Sequence, residues 1–176
     1  MENEKRDGRL PQQFGKFGEC LVMFWLGRTL NYTVALVDHV GADVIASGDK
    51  RYAVSVKSRT FDNRNERITF DEYNQDKLSG FADKFGCIPA VAFVFVDKNG
   101  KHIDVCFVEL VEMKRLADNK DICFQPCKDG IKLHHNTPDR QKHLPTIAKY
   151  HIRFTAEQSV YHKGNIAEDV KFDIVG

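Results

Sequence analysis

Gly41-Ala42-Asp43-Val44-Ile45-Ala46, then the turn Ser47-Gly48-Asp49-Lys50, then Tyr52-Ala53-Val54-Ser55-Val56-Lys57-Ser58: this stretch decides how the chain is read. Two short apolar runs rich in β-branched residues flank four turn formers, which is the signature of a β-hairpin. The period of two along a strand puts Ser55 and Lys57 on one face and Val54 and Val56 on the other. An aspartate opening an apolar strand directly after a glycine is unusual for a purely structural position. A lysine at the end of an apolar strand can simply extend its ammonium to water. With a carboxylate on the adjacent strand, the pair is either a cross-strand ion pair worth roughly 0.2–1 kcal/mol or a piece of chemistry.

Outward from the hairpin, apolar residues at Phe14, Phe17, Leu21 and Phe24 or Trp25 recur at helical spacing, and Asn31 is expected to stop that helix. Tyr32 to Val37 reads as a strand. Arg59 to Arg67 is polar and reads as a loop. Thr69-Phe70-Asp71-Glu72 has the form of a capping box, with Thr69 as the N-cap of a helix running to about Phe85 and closed by Gly86. Pro89 to Val96 is a strongly apolar strand, Asp97-Lys98-Asn99-Gly100 a hairpin turn, and His102 to Val108 the return strand. Helix, three strands, helix and two strands make an α/β core over residues 10 to 111. Residues 112 to 176 read as a C-terminal extension of the same single domain, with a short helix at Val111 to Leu116 and strands at Gly130 to His135 and His151 to Phe154. The first ten residues read as a mobile arm.

The 176 residues carry 42% hydrophobic and 29% charged side chains and 13 Phe, enough to bury a core and too apolar for a disordered chain. The longest apolar run, Ile88 to Val96, is far short of the roughly 18 residues of a membrane span. Met1-Glu2-Asn3-Glu4-Lys5-Arg6 lacks the apolar stretch of a signal peptide. The 26 basic and 25 acidic residues give a net charge of +1, so no basic excess announces nucleic acid, although a local basic cleft would be enough to bind it. Five cysteines form no regular framework, and a reducing, cytoplasmic location is expected.

The residues above carry a resemblance. The chain resembles the PD-(D/E)XK nuclease superfamily, most closely its archaeal-type Holliday junction resolvases. The matching residues are Glu19 in Phe17-Gly18-Glu19, Asp43 after Gly41, Lys57 in Val56-Lys57-Ser58, and Gln75 in Gln75-Asp76-Lys77-Leu78 ahead of Phe85-Gly86. It covers residues 14 to about 110. It implies a restriction-endonuclease-like fold: a central mixed β-sheet of about five strands flanked by helices. It implies a Mg²⁺- or Mn²⁺-dependent DNA endonuclease acting on branched or duplex DNA, with a homodimer as the working form. Asp43 and Glu19 would hold metal, and Lys57 would act on the attacking water. One position departs from the pattern: Ser55 stands where the family has Asp or Glu, two residues before the lysine. Some members of the superfamily supply that carboxylate from the following helix, where this chain has Asp71 and Glu72. Alternatively the site has decayed, leaving a module that binds nucleic acid or a protein partner.

Lys16, Arg59, Arg64 and Arg67 are candidates for gripping phosphates, with Asn63 and Asn65 in the same loop and Phe61 able to stack on a base or to pack inward. A zinc reading of Cys123 and Cys127 with His134 is weaker. His134 and His135 are adjacent and would point to opposite faces of a strand, which does not match a C-x₂₋₄-C plus H-x₃₋₅-H pattern. The five histidines from His134 onward read as a polar surface.

Overall fold

The computed structural model describes residues 9–61, 67–99, 101–135, 137–155 and 171–175. Arg64, Asn63 and Asn65, Gly100 of the expected hairpin turn, and the first eight residues of the expected arm lie outside them. In chain order the elements are α1 (Arg9–Arg28), β1 (Thr33–His39), β2 (Ala42–Ser47), β3 (Arg51–Phe61), β4 (Arg67–Asp71), α2 (Glu72–Phe85), β5 (Ile88–Asp97) and β6 (His102–Glu109). There follow α3 (Leu110–Asp118), β7 (Phe124–Cys127), β8 (Gly130–His134), α4 (Pro138–Ile147), β9 (Tyr150–Thr155) and β10 (Lys171–Val175).

The expected mixed sheet flanked by helices is present. Its strands run β1-β2-β3-β5-β6-β9-β10, so the five expected strands are contiguous and two from the extension continue them. Pairing is antiparallel except between β3 and β5, which run parallel, Lys57 beside Phe93 and Arg59 beside Phe95. A parallel pair needs a crossover, and β4 with α2 supplies it. A second sheet, β4-β8-β7, is antiparallel throughout.

Helix α1 covers one face of the main sheet. Val22, Trp25 and Leu26 are buried there against Val44, Val54, Val56, Ala92 and Val94. The expected apolar stripe is therefore displaced, because Phe17 and Phe24 are exposed and Trp25 takes the core position. Gly18 sets this rotation: a Cβ there would stand 1.8 Å from Ser58 Oγ, so the helix backbone rests directly on β3. Asn31 ends the segment as expected, in the left-handed conformation that asparagine tolerates.

On the other face lie α2 and the second sheet. Phe70, Phe81, Phe93, Phe95, Phe124 and Leu133 form that core, so the extension contributes part of it. Helix α2 ends at Gly86 as expected, with Cys87 N–H donating to Ala82 O at 2.8 Å. Its beginning differs: Asp71, not Thr69, is the N-cap, its carboxylate accepting from Asn74 N–H at 2.7 Å. Thr69 belongs instead to β4, where it pairs with Lys132 of β8. Arg59 and Arg67 likewise lie in strands and not in the loop expected between them. Helix α2 also packs closely on the β1–β2 turn. Gly41 (φ +120°) is required there, since a Cβ would meet Lys77 O at 2.5 Å.

Candidate functional site

The site grows from the end of a ladder. The β2–β3 register runs from Ser47–Arg51 to Val44–Val54 and stops one residue short of Asp43. The Asp43 side chain takes over where the backbone pairing ends. Its Oδ2 accepts the Val56 N–H at 2.6 Å and the Ser55 hydroxyl at 3.3 Å. Two donors on one oxygen fix the carboxylate against β3, and Oδ1 makes no hydrogen bond among the described residues. Ser55, the position that departs from the family pattern, is thereby bonded directly to Asp43 from the partner strand.

Lys57 follows on the same side of β3, half-buried, with Nζ 5.6 Å from the centre of the Phe70 ring. That distance is within cation–π range. Among the described residues Lys57 makes no ion pair. The cross-strand ion pair, the ordinary structural account of an Asp43 and Lys57 so placed, is therefore not formed. Phe70 is itself held from α2: Gln75 is buried, and its Nε2 donates to Phe70 O at 2.9 Å. Gln75 thus supports the wall under Lys57.

The other expected ligands are otherwise engaged. Both Asp71 oxygens accept from the Asn74 amide at 2.8 Å, and Oδ1 also caps α2. Glu72 is exposed on the first turn of α2, and its N–H donates to Asp129 O at 2.9 Å. Glu19 sits on α1, over the opposite sheet face, with Lys16 Nζ 2.8 Å from its Oε2. Arg59 extends from β3 to donate Nη1 to Arg67 O at 2.7 Å. Phe61 is buried against Phe95 and His135 and faces inward. No group of three or more His, Cys, Asp or Glu among the described residues is arranged to hold a metal by itself.

A divalent cation at Asp43 would therefore be held by one carboxylate. Mg²⁺ fits such a set, since it keeps several waters and commonly relies on one or two carboxylates plus substrate phosphates. Asp43 Oδ1 and the Ser55 hydroxyl are the donors the chain offers.

Two strands further along the same face lies a cluster that the sequence pattern did not reveal. Asp104 on β6 is fully buried and receives a bidentate pair from Arg153 of β9, Nε to Oδ1 at 2.6 Å and Nη2 to Oδ2 at 2.7 Å. His135 Nε2 stands 2.7 Å and His102 Nε2 3.6 Å from Oδ2, and His151 Nε2 3.5 Å from Oδ1. The Nε2 atoms of His135 and His151 are within ion-pair reach, but among the described residues no ring nitrogen of either makes a hydrogen bond. The arginine is therefore the anchor. Burial alone would raise the Asp104 pKa, but His135, His151 and Arg153 outweigh it and hold the carboxyl well below its usual range. Burial depresses His102, with Asp104 opposing. His135 and His151 are thus core residues and not the polar surface expected of them. The signal was present in β6, where His102, Asp104 and Cys106 alternate with Ile103, Val105 and Phe107.

Cys123 and Cys127 lie at opposite ends of the β7 segment, and all five cysteines are free. No helix among the described residues is long and apolar enough to cross a membrane.

No family model matches the chain, and no curated protein matches it. Among solved structures it is similar to Hjc of Archaeoglobus fulgidus, a Holliday junction resolvase from an archaeal hyperthermophile. The identity is 18%, the match covers 66% of this chain and 85% of that one, and the TM-score is 0.43.

Proposed function

We propose that the chain hydrolyses phosphodiester bonds in DNA, with Asp43 and Lys57 as the reacting pair. One observation carries the reading: an aspartate pinned at the end of a strand, with one oxygen free, shares a sheet face with a half-buried lysine that has no acidic partner among the described residues. A half-buried ammonium beside a carboxylate it does not neutralise is suited to an anionic ligand. A bound Mg²⁺ or Mn²⁺ supplies a nucleophilic water and Lewis-acid stabilisation of the phosphate. Asp43 would hold the cation, with the Ser55 hydroxyl beside it. Lys57 Nζ orients the attacking water and offsets negative charge building on the phosphate oxygens. Gln75 and Phe70 keep Lys57 in place. Arg59, Arg67 and Arg64 take the flanking phosphates, with Lys16 further out. Glu72, exposed on the first turn of α2, is the reserve carboxylate on this side of the sheet. Branched DNA is the substrate the resemblance favours, cut by a homodimer that brings two sites together in the cytoplasm.

The test is cleavage of labelled four-way-junction, duplex and single-stranded DNA with Mg²⁺ or Mn²⁺, by wild type, Lys57→Ala and Asp43→Ala. Metal-dependent cutting is expected, reduced on the order of 10²-fold or more in Lys57→Ala. Cutting that survives both substitutions refutes the assignment.

Ser55 and the engaged Asp71 favour a second reading, a nuclease-fold module that binds DNA without cutting it. Binding with no cleavage under either metal would select it.

A further inference from the structure

The small sheet β4-β8-β7 has two unlike faces. Alternation turns Ile68, Phe70, Ile131, Leu133 and Phe124 into the core. The outer rows hold a different population. Register sets Arg67 opposite His134 and Thr69 opposite Lys132, and Lys132 in turn opposite Gln125 of β7. Arg67 is exposed, while Lys132 and His134 are half-buried. Among the described residues neither Arg67 nor Lys132 has an acidic partner. The one carboxylate on these rows, Asp71, sits at the sheet's end and gives both oxygens to Asn74.

Arg67 and Lys132 thus sit diagonally across β4 and β8, not directly opposite, and their charges add on one face. The groups feel one another: His134 is depressed first by burial, then by the charges of Arg140, Arg67 and Lys132. Arg140, in the first turn of α4, adds a further cation beside the strand and donates Nε to Ile122 O at 2.8 Å. The face also begins beside the strand that carries Lys57. Arg59 lies two residues beyond Lys57 on β3, and its guanidinium reaches Arg67 O at 2.7 Å. Arg59 and Arg67 are thus neighbours where β4 starts, ahead of Lys132 on β8.

We propose that the outer face of β4-β8-β7 is a docking surface for the sugar–phosphate backbone of duplex DNA, with Arg67 and Lys132 binding its phosphates. This gives the extension a function: β7 and β8 widen the strand that follows Lys57 into a platform. The proposal rests on the reading of Asp43 and Lys57 as a phosphodiester site. Charge complementarity and a start beside the strand that carries Lys57 favour DNA over an acidic protein. Duplex is favoured over single strand because the outer rows present no Phe, Tyr or Trp on which unpaired bases could stack. Thr69 and Gln125 supply the neutral hydrogen-bond donors that accompany cations at a phosphate backbone. Binding of this kind fixes register and orientation and carries little sequence information.

The experiment measures binding of the full chain to fluorescent duplex DNA by anisotropy across a salt series, with divalent metal chelated so that cleavage plays no part. Every phosphate that a side chain ceases to neutralise lowers the slope of log K against log salt by about 0.9 for duplex DNA. Arg67→Gln/Lys132→Gln is therefore expected to lower the slope by about 1.8, the sum for two phosphates. The charge-preserving Arg67→Lys/Lys132→Arg is expected to keep the wild-type slope, which a merely structural role would not predict. Equal slopes in wild type and the Gln double variant, at equal thermal stability, overturn the proposal, and so does a wild type that binds no duplex at low salt. Preferential binding of an acidic protein surface with no DNA binding overturns it as well. A slope that falls as expected in a protein that cuts nothing keeps the docking face and removes the hydrolytic reading, so the two fail separately.

Discussion

Asp104→Asn tests the buried cluster most directly. The substitution preserves shape and volume and removes only the charge and one acceptor, placing an amide N–H where the Arg153 fork now donates. Asp104 is fully buried, and the two hydrogen bonds at 2.6 and 2.7 Å are the aligned ones. Breaking a buried pair by removing one partner costs about 3–5 kcal/mol, because the other charge is left uncompensated. Arg153 is 32% exposed and can turn partly to water, so the expected loss is at the lower end, about 3 kcal/mol. That is a large share of the roughly 5–15 kcal/mol that holds a domain together. Urea unfolding at neutral pH reads it as a midpoint shift of about 1–2 M at an unchanged slope. Asp104→Leu/Arg153→Met should recover most of the loss, since an apolar replacement of the whole pair is often neutral. A loss below about 1 kcal/mol, or a double variant as unstable as the sum of its parts, refutes the reasoning. The pH profile supplies an independent check. His102 and His134 have folded pKa values depressed below the unfolded value near 6.5, so the unfolded chain binds protons first and stability falls as pH drops below about 6.5. The depressed Asp104 adds a second loss as pH falls below the unfolded carboxylate value of about 3.9. Asp104→Asn should lessen the second decline, leaving the part due to the depressed Glu109, and deepen the first, because His102 loses the neighbour that does most to stabilise its charge.

Two further expectations concern the seat of α1. Gly18→Ala places a methyl 1.8 Å from Ser58 Oγ and 3.0 Å from Ser58 Cβ, so the hydroxyl must rotate and α1 shift slightly, at a cost at the lower end of overpacking, about 1 kcal/mol, read as a lower Tm; a raised Tm would contradict the close seating of α1 on β3. Among the described residues Ser58 Oγ is buried without a hydrogen-bond partner, so Ser58→Ala should be neutral or stabilising by about 1 kcal/mol, and a clear loss in thermal melts would contradict that orphaned state.

What was legible in the sequence was local. The β2–β3 hairpin, α2 closed by Gly86, and the β5–β6 hairpin each carry their signals within a short stretch of chain, and the first of them sets Asp43, Ser55 and Lys57 together. The failures share a different cause. Strand β4 exists because it pairs with β8, a distant segment of the chain, and that pairing turns Thr69 from a helix cap into a strand residue and passes the cap to Asp71. The choice of Trp25 over Phe24 on α1 is settled by the close approach at Gly18, a tertiary fact. Helix α4 announces itself in Thr137-Pro138, an N-cap followed by proline at the first turn, but prolines so closely spaced read equally well as breaks.

The same distinction bears on Ser55. From sequence alone a serine in place of a carboxylate signals loss, because the count of charges is all that can be compared. In the structure Ser55 donates to Asp43 Oδ2 alongside the Val56 N–H, so it fixes the orientation of the one carboxylate that remains. A glutamate there would bring a second negative charge beside Asp43, with Lys57 the nearest cation on that strand face. With serine, Lys57 keeps its charge free of any acidic partner and faces the ligand with it. The departure thus weakens the affinity for a bare cation and strengthens the attraction for an anionic ligand. On the proposed function, a site built that way should hold its metal only together with a phosphate. Ser55→Glu should therefore tighten Mn²⁺ binding in the absence of DNA, by calorimetry, and a variant that binds Mn²⁺ no better than wild type would show that Ser55 does not occupy a ligand position.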